Sequence, residues 1–290
     1  MTAPHGLMFA RIEVPDLDAS IDWYGYHVGL TLERRGDSWA QMRADVTHHA
    51  IELVAATDRT ESMTTSVCFD VREPGGLDVL RKRVKDAGLP VDDLHERTAE
   101  LATDGFAVRD PNGLVIELVT DFYEFADPPS VELRPVDLVH PFLSSDRYEA
   151  TVSFYEDVLG FRPSDYVGDM TVFLRSEDRY HHSLAVRRDD SYYMAHLCFS
   201  MKSFDHMMRL RARALYKGVP IPADLVNHSA SFSLAFYMLD EAHGPRIELC
   251  DGHRVLTPEQ HEHTHVARRM PLDPRNIDVW RAAADDWGRL

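Results

Sequence analysis

FAVRDPNGLVIEL at residues 106–118 recurs in altered form as YMLDEAHGPRIEL at residues 237–249. Three further segments recur in the same order: YGYHVGL from Tyr24 as YEDVLGF from Tyr155, THHAIELV at 47–54 as YHHSLAV at 180–186, and SVCFDV at 66–71 as HLCFSM at 196–201. Tyr155 follows Tyr24 by 131 residues, which is also the distance between the glutamates of the two quoted segments. Matches in one order at a nearly constant separation indicate an internal duplication.

Each half of the sequence alternates helical segments with groups of strand-like runs. GGLDVLRKRVKDAG at 75–88 places Leu77, Leu80 and Val84 at helical spacing. DPNG at 110–113 is typical of a turn between two β-strands. The βαβββ pattern occurs twice in each half, so we predict an α+β protein of four βαβββ modules in two domains. Each domain is expected to be a curved, half-open barrel that encloses a cavity.

A chain of 290 residues is long enough for two domains with full cores. We predict a first domain at residues 1–126 and a second at 135–252. DPPSVELRP at 127–135 is the predicted linker because it is rich in Pro and polar residues. Residues 253–290 form a tail that is expected to pack on the second domain and to end in a short amphipathic helix around Val279 and Trp280.

Composition excludes several classes of partner. The formal net charge of −17 argues against nucleic acid or an anionic membrane, and no apolar run reaches the length of a membrane span. The start of the sequence has no basic segment before an apolar stretch, so we expect no signal peptide. Three sparse cysteines favour a reducing, cytoplasmic location over a disulfide framework.

Three residues of the second half form a candidate metal site. His140 in DLVHPFL, His196 in MAHLCFSM and Glu248 in GPRIELC each lie in an apolar, strand-like run. Side chains of a strand alternate between faces, so each strand can point one ligand into a common interior. Two imidazoles and one carboxylate form the facial triad that holds non-haem Fe(II) with open coordination positions. These ligand types also accept Mn(II).

The first half lacks two of these ligands. Phe9 and Ser66 stand at the positions of His140 and His196, and only Glu117 matches Glu248. The first domain is therefore expected to hold no metal, with Glu117 making structural hydrogen bonds. A histidine on an apolar strand is more often a satisfied core residue than a ligand. Two histidines at duplicated ligand positions favour the metal site.

His182, His228 and Tyr237 form a second predicted set, with two groups for proton transfer and one hydroxyl donor. Each also has a structural explanation, such as a core tyrosine with a satisfied hydroxyl. His181, which precedes His182, is interpreted as a surface residue. HEHTH at 261–265 resembles a metal-binding tract, but its place in a polar tail favours a segment that is solvated or binds metal adventitiously.

The second half resembles the catalytic domain of the type I extradiol ring-cleavage dioxygenases, in the vicinal oxygen chelate superfamily. The whole chain resembles the two-domain members that cleave catechol and dihydroxybiphenyl, over roughly residues 5–252. The motifs that carry the resemblance are VHPFLSSDRYEATVSFYEDVLGF, RYHHSLAV, AHLCFSM and NHSASFSLAFYMLDEAHGPRIELCDG. The resemblance implies Fe(II) at the triad and no organic cofactor. It also implies an aromatic diol and O2 as substrates, a ring-opened semialdehyde as product, and association into homo-oligomers.

The resemblance also assigns roles to the second set. His182 is the implied acid–base group, and His228 and Tyr237 are implied to hydrogen-bond the substrate oxygens. One motif departs from the family, which has Asp-Pro-x-Gly where this chain has DEAHG at 240–244, one residue longer and without Pro. This difference would make His243 an unusual neighbour of the site.

Two alternative functions remain at this point. A glyoxalase-type isomerase of the same fold gathers its ligands from two paired modules and uses an additional Glu. A non-enzymatic ligand-binding protein needs an aromatic cleft and no metal ligands, which suits the first half of the chain but not the second.

Overall fold

The computed structural model describes residues 2–273 and 277–280, and two mixed β-sheets carry the two halves of the chain. The first sheet contains β1 Leu7–Val14, β2 Thr31–Arg35, β3 Trp39–Arg43, β4 Ile51–Ala55, β5 Met63–Asp70, β6 Asp104–Arg109 and β7 Val115–Thr120. The second sheet contains β8 Pro135–Ser145, β9 Arg162–Val167, β10 Thr171–Arg175, β11 Leu184–Arg188, β12 Tyr193–Met201, β13 Ala223–Asn227, β14 Leu234–Met238, β15 Arg246–Asp251 and β16 Arg268–Met270. The predicted α+β class is confirmed.

Short helices connect the strands: α1 Leu17–Trp23, α2 Gly76–Asp86, α3 Glu96–Ala99, α4 Tyr148–Ser153 and α5 Phe204–Lys217. Within the described residues, three π-helical turns lie at Tyr24–Val28, Phe154–Val158 and Gln260–Thr264. In the part of the chain that the structure describes, we find no helix that is both long and apolar enough to cross a membrane.

The two sheets share one topology, as expected from the duplication. The strand order is β2-β3-β4-β1-β5-β7-β6 in the first sheet and β13-β14-β15-β12-β8-β11-β10-β9-β16 in the second. In each sheet the first strand runs parallel to the last strand of its own module and antiparallel to the first strand of the next. One module is shortened: the counterpart of β13 is reduced to a single bridge between Asp92 and Ala107, and α3 follows soon after it.

Strand pairing locates the extra residue of the DEAHG segment. Glu248 on β15 pairs with Tyr237 on β14, just as Glu117 on β7 pairs with Ala107 on β6. Glu248 also pairs with Cys198 as Glu117 pairs with Cys68. The additional residue is therefore contained in the turn, and the strand that carries Glu248 keeps its register.

The DEAHG turn contacts the first domain instead of the predicted metal site. His243 Nδ1 lies 2.9 Å from Ser20 Oγ, and the His243 ring stacks on Trp23. The expectation that His243 neighbours the site is wrong, because the longer turn projects away from the cavity and toward α1.

The corresponding turn of the first domain makes the reciprocal contact. Asn112 Nδ2 of the DPNG turn donates to Thr151 Oγ1 on α4 at 2.9 Å. On the other side of the interface, a Cβ on Gly244 would lie 2.1 Å from Tyr24 Oη, so the close approach of the two domains requires glycine there. Each domain thus inserts its last turn against a helix of the other.

The HEHTH segment packs against the second sheet. His261 is buried, with Nε2 3.1 Å from Glu177 Oε2. His265 Nε2 donates to the Ser164 carbonyl at 2.9 Å, while His263 is exposed. The expectation of a solvated tract is wrong for His261 and His265. A π-helical turn directs them inward, and β16 then adds to β9 as a parallel edge strand.

The last described residues contact the end of β13. Asn227 N–H donates to Asp278 Oδ1 at 3.2 Å, and Trp280 N–H donates to the same oxygen at 3.0 Å. Val279 and Trp280 have helical backbone geometry, and both are exposed. The remainder of the predicted C-terminal helix, from residue 281, lies outside the described residues.

Candidate metal centre and active site

His140, His196 and Glu248 lie on β8, β12 and β15, three neighbouring strands of the second sheet. His140 Nε2 is 3.2 Å from His196 Nε2 and 3.5 Å from Glu248 Oε2, and His196 Nε2 is 3.0 Å from the same oxygen. All three side chains are buried. The structure therefore brings the three predicted ligands together at one point.

The spacing of these three atoms suits a metal ion. Two ligand atoms bound at right angles, each at about 2.1 Å from an ion, lie about 3.0 Å apart. The observed separations of 3.0, 3.2 and 3.5 Å between the ligand atoms are close to that distance. Two neutral imidazoles and one carboxylate are ordinary ligands of Fe(II) and Mn(II), and they leave the remaining coordination positions open. The donor set fits a facial triad.

A second group of possible ligands shares His140. One nitrogen from each of His140, His182 and His253 lies within 4.8 Å of the others. Both ring nitrogens of His253 are buried without a hydrogen-bond partner among the described residues. This group offers no carboxylate to offset the charge of an ion, and His253 is not part of the cavity wall. We therefore favour the group that contains Glu248.

The second predicted set surrounds the triad. The His182 ring lies 4.2 Å from the His140 ring, centroid to centroid. His228 Nε2 is 2.8 Å from Tyr237 Oη and 3.3 Å from Glu248 Oε1. All six residues predicted from the sequence thus lie in one cluster.

Burial and hydrogen bonds together determine the protonation of this cluster. Burial lowers the pKa of His196 to about 4, although Glu248 acts in the opposite direction. Burial also lowers the pKa of His182 well below its usual value. Burial alone would raise the pKa of Glu248, but hydrogen bonds from His140, His196 and His228 lower it well below the usual range. A neutral imidazole and an ionised carboxylate are the forms that bind a metal.

A cavity of about 390 Å³ opens beside the triad. This volume is within the usual range for small-molecule sites. Most of its wall is apolar or aromatic, with contributions from Phe142, Phe173, Val167, Met170, Ala195 and Val226. His182, His228 and Tyr237 also line it, and the tail contributes Leu272 and Ile277. The cavity thus combines polar groups near the triad with an aromatic wall.

A comparison with protein families matches residues 6–118 and 137–267 to the glyoxalase/bleomycin resistance protein/dioxygenase superfamily. The chain belongs to this superfamily. The predicted membership of this superfamily and its two-domain fold are thereby confirmed. No curated protein gives a significant match to the chain in sequence.

Solved structures of superfamily members share the whole fold. The Mn(II)-bound glyoxalase from Novosphingobium aromaticivorans is 25% identical, and the superposition has a TM-score of 0.84. The match covers 97% of this chain and 91% of the glyoxalase chain. The 2,2',3-trihydroxybiphenyl 1,2-dioxygenase from Sphingomonas wittichii is 21% identical, with 93% and 96% covered and a TM-score of 0.79. Homoprotocatechuate 2,3-dioxygenase from Arthrobacter globiformis is 19% identical, with 97% and 89% covered and a TM-score of 0.81.

In the first domain of this superfamily member, a buried arginine stands where a metal would lie. Arg11 Nη1 is 3.0 Å from Ser66 Oγ and 3.1 Å from Glu117 Oε2, and Arg11 Nε donates to Glu52 Oε1 at 2.6 Å. Glu117 Oε1 also accepts from the His95 N–H at 2.9 Å. Glu117 thus has structural hydrogen bonds, as predicted, and a guanidinium supplies the positive charge.

In the second domain the cavity described above takes the place of this polar network. Strand pairing equates Arg11 with Phe142 and Glu52 with Ala185. One pocket of the first domain, beside Arg11 and Glu117, is lined by charged residues such as Arg97, and its described lining contains no Phe, Tyr or Trp. This pocket is not the aromatic cleft that the ligand-binding alternative needs.

His181 is a buried residue, so its interpretation as a surface residue is wrong. Its Nε2 lies 2.8 Å from Asp165 Oδ2, and its Nδ1 lies 3.1 Å from His182 Nδ1. β9 and the tail cover the ring, and neither contact was visible from the sequence. No motif singled out Asp165 or His253. The duplication offered one signal, since the His-His pair at 181–182 repeats the pair at 48–49.

Proposed function

We propose that this chain is an extradiol dioxygenase, which opens the ring of a catechol-type diol with O2 at a mononuclear Fe(II) centre. The observation that carries the proposal is the convergence of His140, His196 and Glu248, within 3.5 Å of one another, on an aromatic-lined cavity. The reaction breaks the ring C–C bond beside the diol and inserts both atoms of O2. The product is a ring-opened semialdehyde. Mn(II) is the second candidate metal, because the same ligand types accept it.

When bound, a divalent ion at the triad supplies Lewis acidity, which lowers the pKa of a diol hydroxyl, and redox chemistry with O2. The protein contributes the remaining chemistry. Phe142 and Phe173 line the cavity with their rings at 77° to each other and form an apolar surface that suits an aromatic ring and excludes water. This arrangement supports an aromatic diol as substrate.

His182 is the proposed acid–base group. It lines the cavity next to His140, and burial keeps its imidazole neutral. A neutral imidazole accepts the proton of a diol hydroxyl and later returns it to the product.

Tyr237 and His228 are proposed to orient the diol. Burial, reinforced by the Glu248 carboxylate, raises the pKa of Tyr237 well above its usual value, so the hydroxyl remains a hydrogen-bond donor. Tyr237 Oη lies 2.8 Å from His228 Nε2, and both residues line the cavity. A diol oxygen between them and the triad would accept one of these hydrogen bonds.

Anaerobic reconstitution with Fe(II), followed by a panel of catechols in air, tests the proposed function. We expect one metal ion per chain, equimolar consumption of diol and O2, and a yellow ring-opened product. Parallel reconstitution with Mn(II) decides between the two ions. A metal-loaded protein that consumes no O2 with any diol of the panel would contradict the proposal.

A glyoxalase-type isomerase is the second candidate function, favoured by the Mn(II)-bound glyoxalase among the similar structures. That reaction was expected to gather its ligands from two paired modules and to use an additional Glu. Among the described residues that line the cavity, Glu248 is the only carboxylate. The same reconstituted protein, assayed with a thiol–ketoaldehyde adduct, separates the two reactions.

Substitution of His182 by alanine is expected to retain the metal and to lose most of the turnover. Removal of a general acid–base group costs about 10²–10⁴-fold in rate, whereas the three proposed ligands remain in place. Metal analysis and O2 uptake on the same preparation measure both effects. His49 is the corresponding residue of the first domain and is equally buried, so His49→Ala is the matched control. Equal turnover in the two variants would argue against the role of His182.

A further inference from the structure

A row of hydrogen-bonding groups runs from the tail to the active-site cavity. Arg268 on β16 contacts both carboxylate oxygens of Asp165 on β9. Its backbone N–H and its Nε each lie 2.9 Å from Oδ1, and its Nη2 donates to Oδ2. Asp165 Oδ2 lies 2.8 Å from His181 Nε2, and His181 Nδ1 lies 3.1 Å from His182 Nδ1. Asp165 and His181 are fully buried, and His182 lines the cavity.

The chemistry of each group gives this row a direction. Burial alone would raise the pKa of Asp165, but hydrogen bonds from His181 and Arg268 lower it to about 2, so the carboxylate is ionised and can only accept. His181 Nε2 must therefore carry the proton. In a neutral imidazole the other nitrogen is then an acceptor, so His181 Nδ1 accepts from His182 Nδ1–H. His182 Nε2 is left without a proton.

The first domain contains the same pair of histidines without the acid. His48 Nδ1 and His49 Nδ1 are 3.1 Å apart, the same distance as in the second domain. Arg34 stands at the position of Asp165. In the first sheet Gln41 pairs with Arg34 and with Glu52. In the second sheet Phe173 pairs in the same way with Asp165 and with Ala185, the counterpart of Glu52. Arginine cannot accept a hydrogen bond. The acid is therefore present only in the domain that carries the candidate metal centre.

We propose that Asp165 and His181 are positioning residues, which hold His182 in the tautomer whose unprotonated Nε2 is available to the diol. The proposal rests on the proposed function for its chemical purpose, but the tautomer itself is independent of it. A carboxylate that orients one imidazole through another also stabilises the positive charge that His182 acquires when it takes a proton. β16 thus supports catalysis from the tail, because Arg268 fixes the orientation of Asp165.

Substitution of Asp165 by asparagine is expected to reverse the row. The backbone N–H of Arg268 is fixed opposite Oδ1, so the amide oxygen would take that place. The amide NH2 would take the place of Oδ2, face His181 Nε2 and displace Nη2 of the flexible Arg268 side chain. His181 Nδ1 would then donate, and His182 would carry its proton on Nε2. ¹⁵N NMR of the ring nitrogens in the full-length, metal-free protein measures this directly, with the His182 signals assigned by their loss in His182→Gln. The same His182 tautomer in both proteins would overturn the proposal.

Turnover provides the second measurement. In an active enzyme, Asp165→Asn is expected to lower kcat by about 10²–10⁴-fold while KM and metal content change little. Arg268→Met removes the same ion pair but leaves the carboxylate on His181, so its loss of kcat should be much smaller. Equal losses in the two variants would show that Asp165 has only a structural role and would overturn the proposal.

Variants of His181 keep the test decisive if Asp165→Asn fails to fold. A glutamine side chain at position 181 can donate to Asp165 and accept from His182. His181→Gln should therefore retain the wild-type His182 tautomer and much more turnover than His181→Phe. His181→Phe should lose both, whereas His48→Phe, at the matching position of the first domain, should lose neither. An inactive wild-type protein would contradict the proposed dioxygenase, while the NMR result would still decide the tautomer.

Discussion

Substitution of His196 by alanine is expected to remove the metal and the activity together. His196 Nε2 is 3.2 Å from His140 Nε2 and 3.0 Å from Glu248 Oε2, so its loss leaves two ligands on a site built for three. Residues that only orient a ligand cost about 10–100-fold in metal affinity, and we expect a ligand itself to cost on the order of 10³-fold or more. Metal content after dialysis and O2 uptake with a catechol measure the two losses.

The matched control for this variant is Ser66→Ala, at the corresponding position on β5. Ser66 accepts a hydrogen bond from Arg11 and lies far along the chain from the proposed ligands. We expect this variant to keep its metal and its turnover. A chelator should lower the melting temperature of the wild-type protein but leave that of His196→Ala unchanged, because only a bound ion adds to stability. Stoichiometric metal and full ring cleavage in His196→Ala would refute the ligand assignment.

Substitution of Arg11 by methionine is expected to destabilise the first domain strongly. Arg11 is buried and pairs with Glu52 at 2.6 Å and with Glu117 at 3.1 Å, and both carboxylates are buried as well. Removal of one partner from a buried ion pair costs about 3–5 kcal/mol when the remaining charge has no counterion. Glu117 would be left in this state, whereas Glu52 would keep Arg97 at 2.7 Å. Chemical denaturation of the metal-free protein measures the loss. Metal content of the folded fraction should stay unchanged.

The control for Arg11 is Arg35→Met, which breaks an exposed pair. Arg35 Nη2 lies 2.6 Å from Asp18 Oδ1, but the two side chains are 46% and 72% exposed. Exposed pairs contribute about 0–1 kcal/mol, so this variant should unfold almost as the wild type does. Similar stabilities of the two variants would contradict the assigned role of Arg11.

The same network makes the free energy of unfolding depend on pH under acidic conditions. Burial alone would raise the pKa of Glu52, but Arg97 and Arg11 lower it from 4.5 to about 2. A carboxyl group whose pKa is lower in the folded protein adds stability that is complete above its unfolded pKa and is lost as pH falls through its folded pKa. The contribution of Glu52 is therefore lost between about pH 4.5 and 2. In the Arg11→Met variant this loss should begin at a higher pH.

Much of the fold and the cluster of candidate site residues were predictable because the chain contains two copies of one unit. The duplication fixed the modules, and the contrast of Phe9 and Ser66 with His140 and His196 separated ligand positions from core positions. These residues lie on regular strands, where alternation decides which side chains share a face. Their convergence at 3.0–3.5 Å follows from the register of three neighbouring strands.

The remaining features depend on contacts that no periodic pattern contains. His261 and His265 lie in a π-helical turn and the coil after it, so neither helical nor strand spacing predicts which face they present. His243 contacts Ser20 across the domain interface, a partner that is distant in the sequence. Asp165 meets His181 only because β9 and β10 pair in one register. β16 then pairs with β9 beside Asp165. Such contacts require the packed structure.

Arg11 has a consequence for the history of the duplicated unit. Restoring histidine at Phe9 or Ser66 alone would set an imidazole beside a guanidinium that repels any incoming cation, and deleting Arg11 alone would leave Glu52 and Glu117 as buried anions without their nearest counterion. No single substitution therefore creates a metal site in the first copy, and the loss of Arg11 also destabilises it. The internal cation makes such a site reachable only through several simultaneous changes.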